Sequence, residues 1–126
     1  MRLRRICHDE QGTSAIEFAI TAPVFFMMLF VLIETGLLLW TQLGLQHGSE
    51  RAARCATISP TTCGSVSAIQ TYAAQQSFAL NPSPSIFSVT TPACGNQVNA
   101  DYSYKFLTAY FNLPTLTIRA QACFPK

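Results

Sequence analysis

The sequence predicts an α+β protein, in which a long N-terminal transmembrane helix precedes a small disulfide-bridged domain with one helix and a short antiparallel sheet. Three observations predict this class. The 23 residues from Phe18 to Trp40 contain a single charged side chain, Glu34. Four of the five cysteines follow that run. Two segments near the C-terminus alternate apolar and polar residues, as half-buried strands do. A chain of 126 residues suits one small domain.

The apolar run predicts a membrane span. As a helix it would be roughly 34 Å long, enough to cross a hydrocarbon core of about 30 Å. A cleaved secretory signal peptide is the alternative, with Thr35 and Gly36 as small residues for cleavage, but the apolar run continues beyond them through Leu39. We therefore expect residues 18–40 to span a membrane.

The basic residues predict the orientation of that span. Arg2, Arg4 and Arg5 precede it, and positive residues favour the cytoplasmic side. Arg51 and Arg54 on the other flank make the bias modest. We expect a cytoplasmic N-terminus and an exported C-terminal part, with Trp40 near the outer interface, where aromatic side chains anchor.

The cysteines agree with this topology. Cys7 precedes the span, and the four that follow it suggest two disulfides in an oxidising compartment. Two of them bracket a short loop, and the other two lie before the first alternating segment and at the end of the second. Of the three possible pairings we predict Cys55–Cys63 and Cys94–Cys123.

The remaining elements follow from local pattern. The first helix should cover residues 13–56, with Glu50 and Arg54 able to pair on one face. An apolar face of that helix is assigned to Leu43, Ala52, Ala53 and Ala56. After a loop at 57–64, Ser67 and Gln70 form a capping box for a helix ending near Ala79. The predicted strands are Ile86–Thr90, Val98–Phe106 and Leu116–Ala122, the last two as an antiparallel pair.

A short motif stands at the entrance of the apolar run. Gly12 is followed five residues later by Glu17 and then by Phe18, and the leader MRLRRICHDEQG is basic at its start. The arrangement resembles the processing site of type IV prepilins. The resemblance implies that a prepilin peptidase cuts after Gly12, so that Thr13 becomes the first residue and Glu17 the fifth.

Glu17 has a physical reason to stand there. Cutting would create a positive amine on Thr13, one helical turn away. A carboxylate at the edge of an apolar segment is costly unless it is paired. We expect Glu17 to neutralise the Thr13 amine of its own chain or of a neighbour during assembly. The alternative is an incidental interfacial residue that follows Gly12 by chance.

A longer stretch narrows the resemblance. The opening from Gly12 to Pro23, GTSAIEFAITAP, is followed by Glu34 inside the apolar run and by Arg-Ala-Ala-Arg at 51–54. These parts resemble TadE-like proteins, the minor pilin-like components of the Tad (Flp) tight-adherence pilus system. Pro23 should kink or break the helix. An acidic residue as deep as Glu34 usually faces another protein element, so we expect a partner contact there; the alternative is a residue close enough to the outer surface to snorkel.

The resemblance implies a place and partners. It implies a single-pass protein of the bacterial inner membrane, with a leader at 1–12 and a small periplasmic domain at 57–126, possessing a role in pilus assembly, adhesion and biofilm formation. The expected partners are the prepilin peptidase, other pilin-like subunits, the assembly machinery and membrane lipid.

Other function classes lack support in the sequence. A net charge of +2 gives no basis for binding nucleic acid. The two histidines, His8 and His47, have no catalytic partners nearby in sequence, and the cysteines lack C-x-x-C spacing. We therefore expect no enzyme activity, cofactor or metal. The rival reading is an unprocessed envelope binding or scaffold protein that the helix anchors permanently.

Overall fold

Helix α1 extends from Gln11 to Ile58 in a computed structural model that describes residues 11–78, 80–107 and 115–126. The helix continues through Pro23 without a break. Residues 1–10 of the predicted leader, which include Cys7 and His8, lie outside the described residues, as does Ala79, the predicted end of the second helix.

The chain divides into two compact units, Met1–Thr35 and Gly36–Lys126. In the first unit, the described side chains from Thr13 onward are exposed, apart from two of intermediate exposure, Ala22 and Glu34. The second unit contains the C-terminal part of α1 together with all the other elements, so these residues of the helix belong to a folded domain.

The second unit is a helical layer on a three-stranded sheet. The sheet is an antiparallel meander in the order β1 (Phe87–Thr90), β2 (Asn96–Tyr104) and β3 (Leu116–Phe124). Helix α2 (Val66–Gln75) precedes the sheet, and a single 3₁₀ turn at Pro84–Ile86 leads into β1. The α+β class and the antiparallel pair are as predicted.

The core lies between the helices and one face of the sheet. Alternation along β2 and β3 places apolar side chains on that face and polar ones on the other. From α1 the core receives Leu45, Ala52 and Ala53, and from α2 it receives Ile69, Ala73 and Ala74. The sheet contributes Phe87, Val98, Ala100, Tyr104, Ile118, Ala120 and Ala122.

Both disulfides join the predicted partners. Cys55, in the last turn of α1, is bonded to Cys63, with their Cα atoms 5.8 Å apart. Cys94, ahead of β2, is bonded to Cys123 in β3, with a Cα separation of 6.3 Å. Gln97 of β2 is the register partner of Cys123, so the antiparallel pairing brings the two ends together.

The start and the end of α2 differ from the prediction. Ser65, not Ser67, caps the helix, because its hydroxyl accepts a hydrogen bond from the Ala68 amide at 3.2 Å. Gln70 does not complete a capping box, since its Nε2 donates to the Phe87 carbonyl at 2.7 Å. The helix ends at Gln75, and the positive φ of 46° at Phe78 is incompatible with its continuation.

Two expectations for α1 are also wrong in detail. Leu43 is exposed, and the buried positions of that stretch are Leu45 and Ser49. Glu50 does not pair with Arg54 and accepts a hydrogen bond from Gln46 Nε2 at 2.9 Å. Both differences arise because the sheet and α2 select which face of the helix is covered.

Two glycines let α1 and the end of α2 approach closely. A Cβ atom on Gly44 would lie 2.7 Å from Leu80 Cδ1 and 3.2 Å from the Ser77 carbonyl oxygen. A Cβ atom on Gly48 would meet Ser77 Oγ and lie 2.6 Å from the Ala73 carbonyl oxygen. The i, i+4 glycine pair therefore serves packing inside the domain.

Two glutamines of α1 bind the free edge of β3. Gln42 Nε2 donates to the Arg119 carbonyl at 3.0 Å, and Gln46 Nε2 donates to the Gln121 carbonyl at 3.2 Å. The spacing of four residues on a helix thus matches the spacing of two on a strand. Carbonyls at a sheet edge otherwise offer pairing sites to another chain.

Candidate assembly helix

The candidate site is the N-terminal part of α1, where the sequence placed the processing and assembly residues. Gly12 and Thr13 lie in the first turn of the helix. The backbone at Gly12 is thus helical. In a first turn the amide groups lack partners within the helix, and Gly is a poor helix former, so opening this turn for a protease is inexpensive.

Glu17 and Phe18 follow on the exposed surface of the helix. Glu17 is one turn beyond Thr13, the distance at which side chains on a helix are neighbours. Phe18 is 70% exposed. The Thr21 hydroxyl donates to the Glu17 carbonyl at 2.9 Å, so the threonine satisfies its polar group within the helix and leaves the carboxylate of Glu17 to other partners.

The apolar side chains after Phe18 form an exposed surface on every side of the helix. Residues 24–33 are all exposed and all apolar: Val24, Phe25, Phe26, Met27, Met28, Leu29, Phe30, Val31, Leu32 and Ile33. A helix that is apolar all round is buried in protein or in a membrane. None of the most apolar window of this helix is buried within the chain itself, and the helix is long and apolar enough to cross a membrane.

Glu34 lies at the end of this apolar stretch. Its side chain has intermediate exposure. The hydroxyl of neighbouring Thr35 donates to the Val31 carbonyl at 2.7 Å, an intrahelical bond that makes a polar residue tolerable in apolar surroundings. Gly36 follows, and a Cβ atom there would touch nothing within 4 Å.

Several of the described titratable side chains outside the apolar run make structural contacts. No group of three His, Cys, Asp or Glu side chains among the described residues is placed to hold a metal. His47 Nδ1 donates to the Gln76 carbonyl at 3.0 Å, and its ring stacks on Phe78 with centroids 4.6 Å apart. Asp101 pairs with Arg119 Nε at 3.2 Å on the exposed face of the sheet.

A family match covers most of this helix. Residues 12–54 match the model of a family described as TadE-like protein. This part of the chain is similar to TadE-like proteins. The match begins at Gly12, includes Glu17, Glu34 and Arg54, and covers about a third of the chain. It confirms, over this part of the chain, the resemblance predicted from the opening motif.

No curated protein and no solved structure matches the chain significantly. The TadE-like segment ends at Arg54, one residue before the first disulfide cysteine. It thus includes the exposed apolar helix and the glycines and glutamines that α1 presents to the domain.

Some residues of α1 were missed by sequence analysis. Gln42 and Gln46 were not singled out, although two glutamines four apart beside an apolar run were the available signal. Phe78 carried no signal at all, because its backbone conformation and its contact with Trp40 depend on how α2 ends.

Proposed function

We propose that the protein is a minor pilin or pseudopilin of a Tad (Flp) pilus, inserted in the bacterial inner membrane by α1 and cut after Gly12 by a prepilin peptidase. The observation that carries the proposal is the TadE-like apolar helix whose large apolar side chains are exposed from Phe18 to Ile33. Such a surface needs lipid or neighbouring helices to cover it, and a pilus subunit meets both in turn.

Glu17 supplies the specificity of assembly in this proposal. After cleavage, the Thr13 amine is the positive group nearest to Glu17 along the helix. In the apolar environment of packed helices, a charged pair is far less costly than an isolated carboxylate. A pair formed between the Glu17 carboxylate of one subunit and the Thr13 amine of another would fix the axial register of the two helices.

Glu34 is a second acidic residue on the same helix. Its depth in the apolar run makes lipid a poor environment for its carboxylate. We propose that it faces another pilin-like subunit or a component of the assembly machinery. The protein acts in this role by association and not by catalysis, and the contacts of His47 and Asp101 with Phe78 and Arg119 support a structural use of these side chains.

The first experiment determines the mature N-terminus. Intact-mass measurement of the protein from cells that contain the peptidase should give a chain beginning at Thr13. Gly12→Leu should leave the full-length chain, because a bulky side chain blocks the site, and Gly12→Ala should be cut in part. A wild-type protein that retains Met1 would favour the permanently anchored binding protein instead.

The second experiment separates assembly from processing. Glu17→Ala should be inserted and cut normally but should reduce surface pili, since it removes the anion and leaves the helix apolar. Glu17→Asp should retain part of the function, because the charge remains while its reach shortens. Glu50→Ala is the matched control, because it removes an exposed acidic residue of the same helix beyond the apolar run and should leave both cleavage and surface pili unchanged. Full piliation with Glu17→Ala would remove Glu17 from the mechanism.

A further inference from the structure

The end of the apolar run carries an aromatic pair that the fold leaves exposed. Trp40 of α1 and Phe78, three residues beyond α2, have ring centroids 5.6 Å apart. Trp40 is 54% exposed and Phe78 is 40% exposed. Leu43, one turn beyond Trp40 on the same face of the helix, is also exposed. All of these residues belong to the second unit.

Phe78 is held in this place against its backbone preference. Its φ of 46° lies in the left-handed region, which is a genuine outlier for a bulky side chain and costs about 1–3 kcal/mol. The residue before it, Ser77, is fully buried against Gly48 and donates its hydroxyl to the Ala73 carbonyl at 2.8 Å. The fixed position of Ser77, together with the His47 ring, directs Phe78 toward Trp40.

The strained backbone does not bury the Phe78 ring within the protein. The ring therefore forms part of an exposed surface. The depth of that surface follows from α1. Trp40 ends the apolar run, where a bilayer gives way to its headgroup layer. His47 is seven residues further, about 10 Å along the helix. Phe78 contacts both rings and therefore lies between these two levels, and its centroid is 5.6 Å from that of Trp40, a distance within the roughly 5–8 Å of one interfacial layer.

Charge distribution favours lipid over water for this surface. Residues 35–49 of α1 contain no Asp, Glu, Lys or Arg, and neither do residues 55–100, which include α2 and the whole segment from it to β1. Placing the Trp40–Phe78 pair in a headgroup layer therefore desolvates no charged side chain of these segments. The first charges along α1 beyond Trp40 are those of Glu50, Arg51 and Arg54.

We propose that Trp40 and Phe78 together form a membrane-interface anchor, by which the folded domain rests directly on the bilayer instead of being connected to it by the helix alone. The occupant of this surface is the headgroup layer of the bilayer. The inference rests on the membrane insertion of α1 that the proposed function includes, and it adds a second contact, made by the domain itself, that holds the domain against the membrane before assembly.

The test uses the single tryptophan of the chain. The full-length protein is reconstituted in vesicles of phosphatidylethanolamine and phosphatidylglycerol whose acyl chains carry bromine, a quencher of tryptophan emission. A second reporter is Trp40→Phe combined with Phe78→Trp. The matched control is Trp40→Phe combined with Ile58→Trp, since Ile58 is exposed and lies about 27 Å further along α1.

We expect the reporters at 40 and 78 to be quenched to a similar extent and to emit at shorter wavelength than the reporter at 58. A reporter at 78 that emits like the one at 58, with position 40 still quenched, overturns the inference and leaves the membrane span intact. A reporter at 40 that is not quenched overturns both. Alternatively, the reporter at 78 could escape quenching by brominated lipid but become more shielded from an aqueous quencher as the protein-to-lipid ratio rises. That result overturns the inference in favour of a second copy as occupant.

A further variant separates a membrane role from a packing role. Phe78→Gly should leave the domain in detergent as stable or more stable, because glycine adopts a positive φ freely. In vesicles the same variant should shift the Trp40 emission to longer wavelength, because the ring that shields Trp40 is lost. An unchanged Trp40 emission in vesicles contradicts the inference.

Discussion

Leucines in the two units of the molecule have opposite surroundings. In the second unit Leu45 is completely buried in a core shared by both helices and the sheet. In the first unit Leu32 is 58% exposed, although it belongs to the same helix. One helix therefore has two functions: its C-terminal part stabilises a fold, whereas its N-terminal part presents an apolar surface to its environment.

The contrast predicts which substitutions change the stability of the domain. A change in the second unit acts on the folding equilibrium of the domain, because side chains there contact one another. A change in the first unit leaves that equilibrium alone and acts on whatever covers the helix. The predictions below follow the free energy of unfolding of the domain, measured by urea titration of the full chain in detergent with near-ultraviolet circular dichroism.

The largest expected effect comes from a matched pair of leucines. Leu45→Ala should lower the free energy of unfolding by about 2–5 kcal/mol, because it opens a cavity in the core. Leu32→Ala removes the same atoms from an exposed position and should leave the unfolding midpoint unchanged within error. Equal losses for the two variants would contradict the division of α1 into a core half and a surface half.

The disulfide between Cys94 and Cys123 should have the next largest effect. It closes a loop with a sequence separation of 29, and the chain-entropy model assigns such a loop about 3.5 kcal/mol. Cys94→Ser, Cys123→Ser and the double variant should all lose a similar amount, because any one of them removes the same cross-link. Losses that add in the double variant would show that packing, and not the bridge, carries the effect. Mass spectrometry of a non-reduced digest checks the pairing.

A third comparison uses two glycines of α1. Gly48→Ala should cost about 1–3 kcal/mol, since the new methyl group meets Ser77 Oγ and the Ala73 carbonyl and forces α2 away. Gly36→Ala meets nothing and should be neutral or should stabilise by up to about 1 kcal/mol through helix propensity. Both variants add the same methyl group, so the difference between their free energies of unfolding arises from what that group contacts. A Gly48→Ala variant as stable as Gly36→Ala would sink the close-packing argument.

The smallest effect is expected at the β3 edge. Gln46→Ala should cost about 0.5–1.5 kcal/mol, because the carbonyl of Gln121 loses a donor but can still accept from water. Gln75→Ala, on the exposed side of α2, serves as the control and should change the stability by less than about 0.5 kcal/mol. The double variant Gln42→Ala with Gln46→Ala should also increase self-association in detergent, which light scattering measures, because it uncovers a strand edge.

Sequence periodicity predicted the parts of the fold that depend on local pattern. The alternation at 98–106 and 116–122 identified β2 and β3, although β2 begins two residues earlier and ends at Tyr104. The order of these strands then brought Cys94 near Cys123, so the pairing followed from topology. The apolar run from Phe18 to Trp40 was recognised as a candidate membrane-spanning helix from its length and composition alone.

The sequence alone could not decide between equivalent local signals. Ser65 and Ser67 both suit a helix cap, and the decision came from Gln70, whose amide is taken by the Phe87 carbonyl of β1. Leu43 and Leu45 are equally apolar, and only the positions of α2 and the sheet decide that Leu45 is covered. The roles proposed for Gly12, Glu17 and Glu34 come from the motif, since their partners belong to other molecules.

The bond between Cys55 and Cys63 has a mechanical consequence. A filament or a retracting machine that pulls on α1 loads the helix along its axis, and an unsupported helix yields to tension by losing its turns one after another. Here the last turn is cross-linked to the segment that leads into α2, and the turns before it are wedged in the core through Ala52 and Ala53. Tension on the helix is therefore carried into the domain as shear over many contacts, and the bond excludes residues 56–62 from the length of chain that tension can extend.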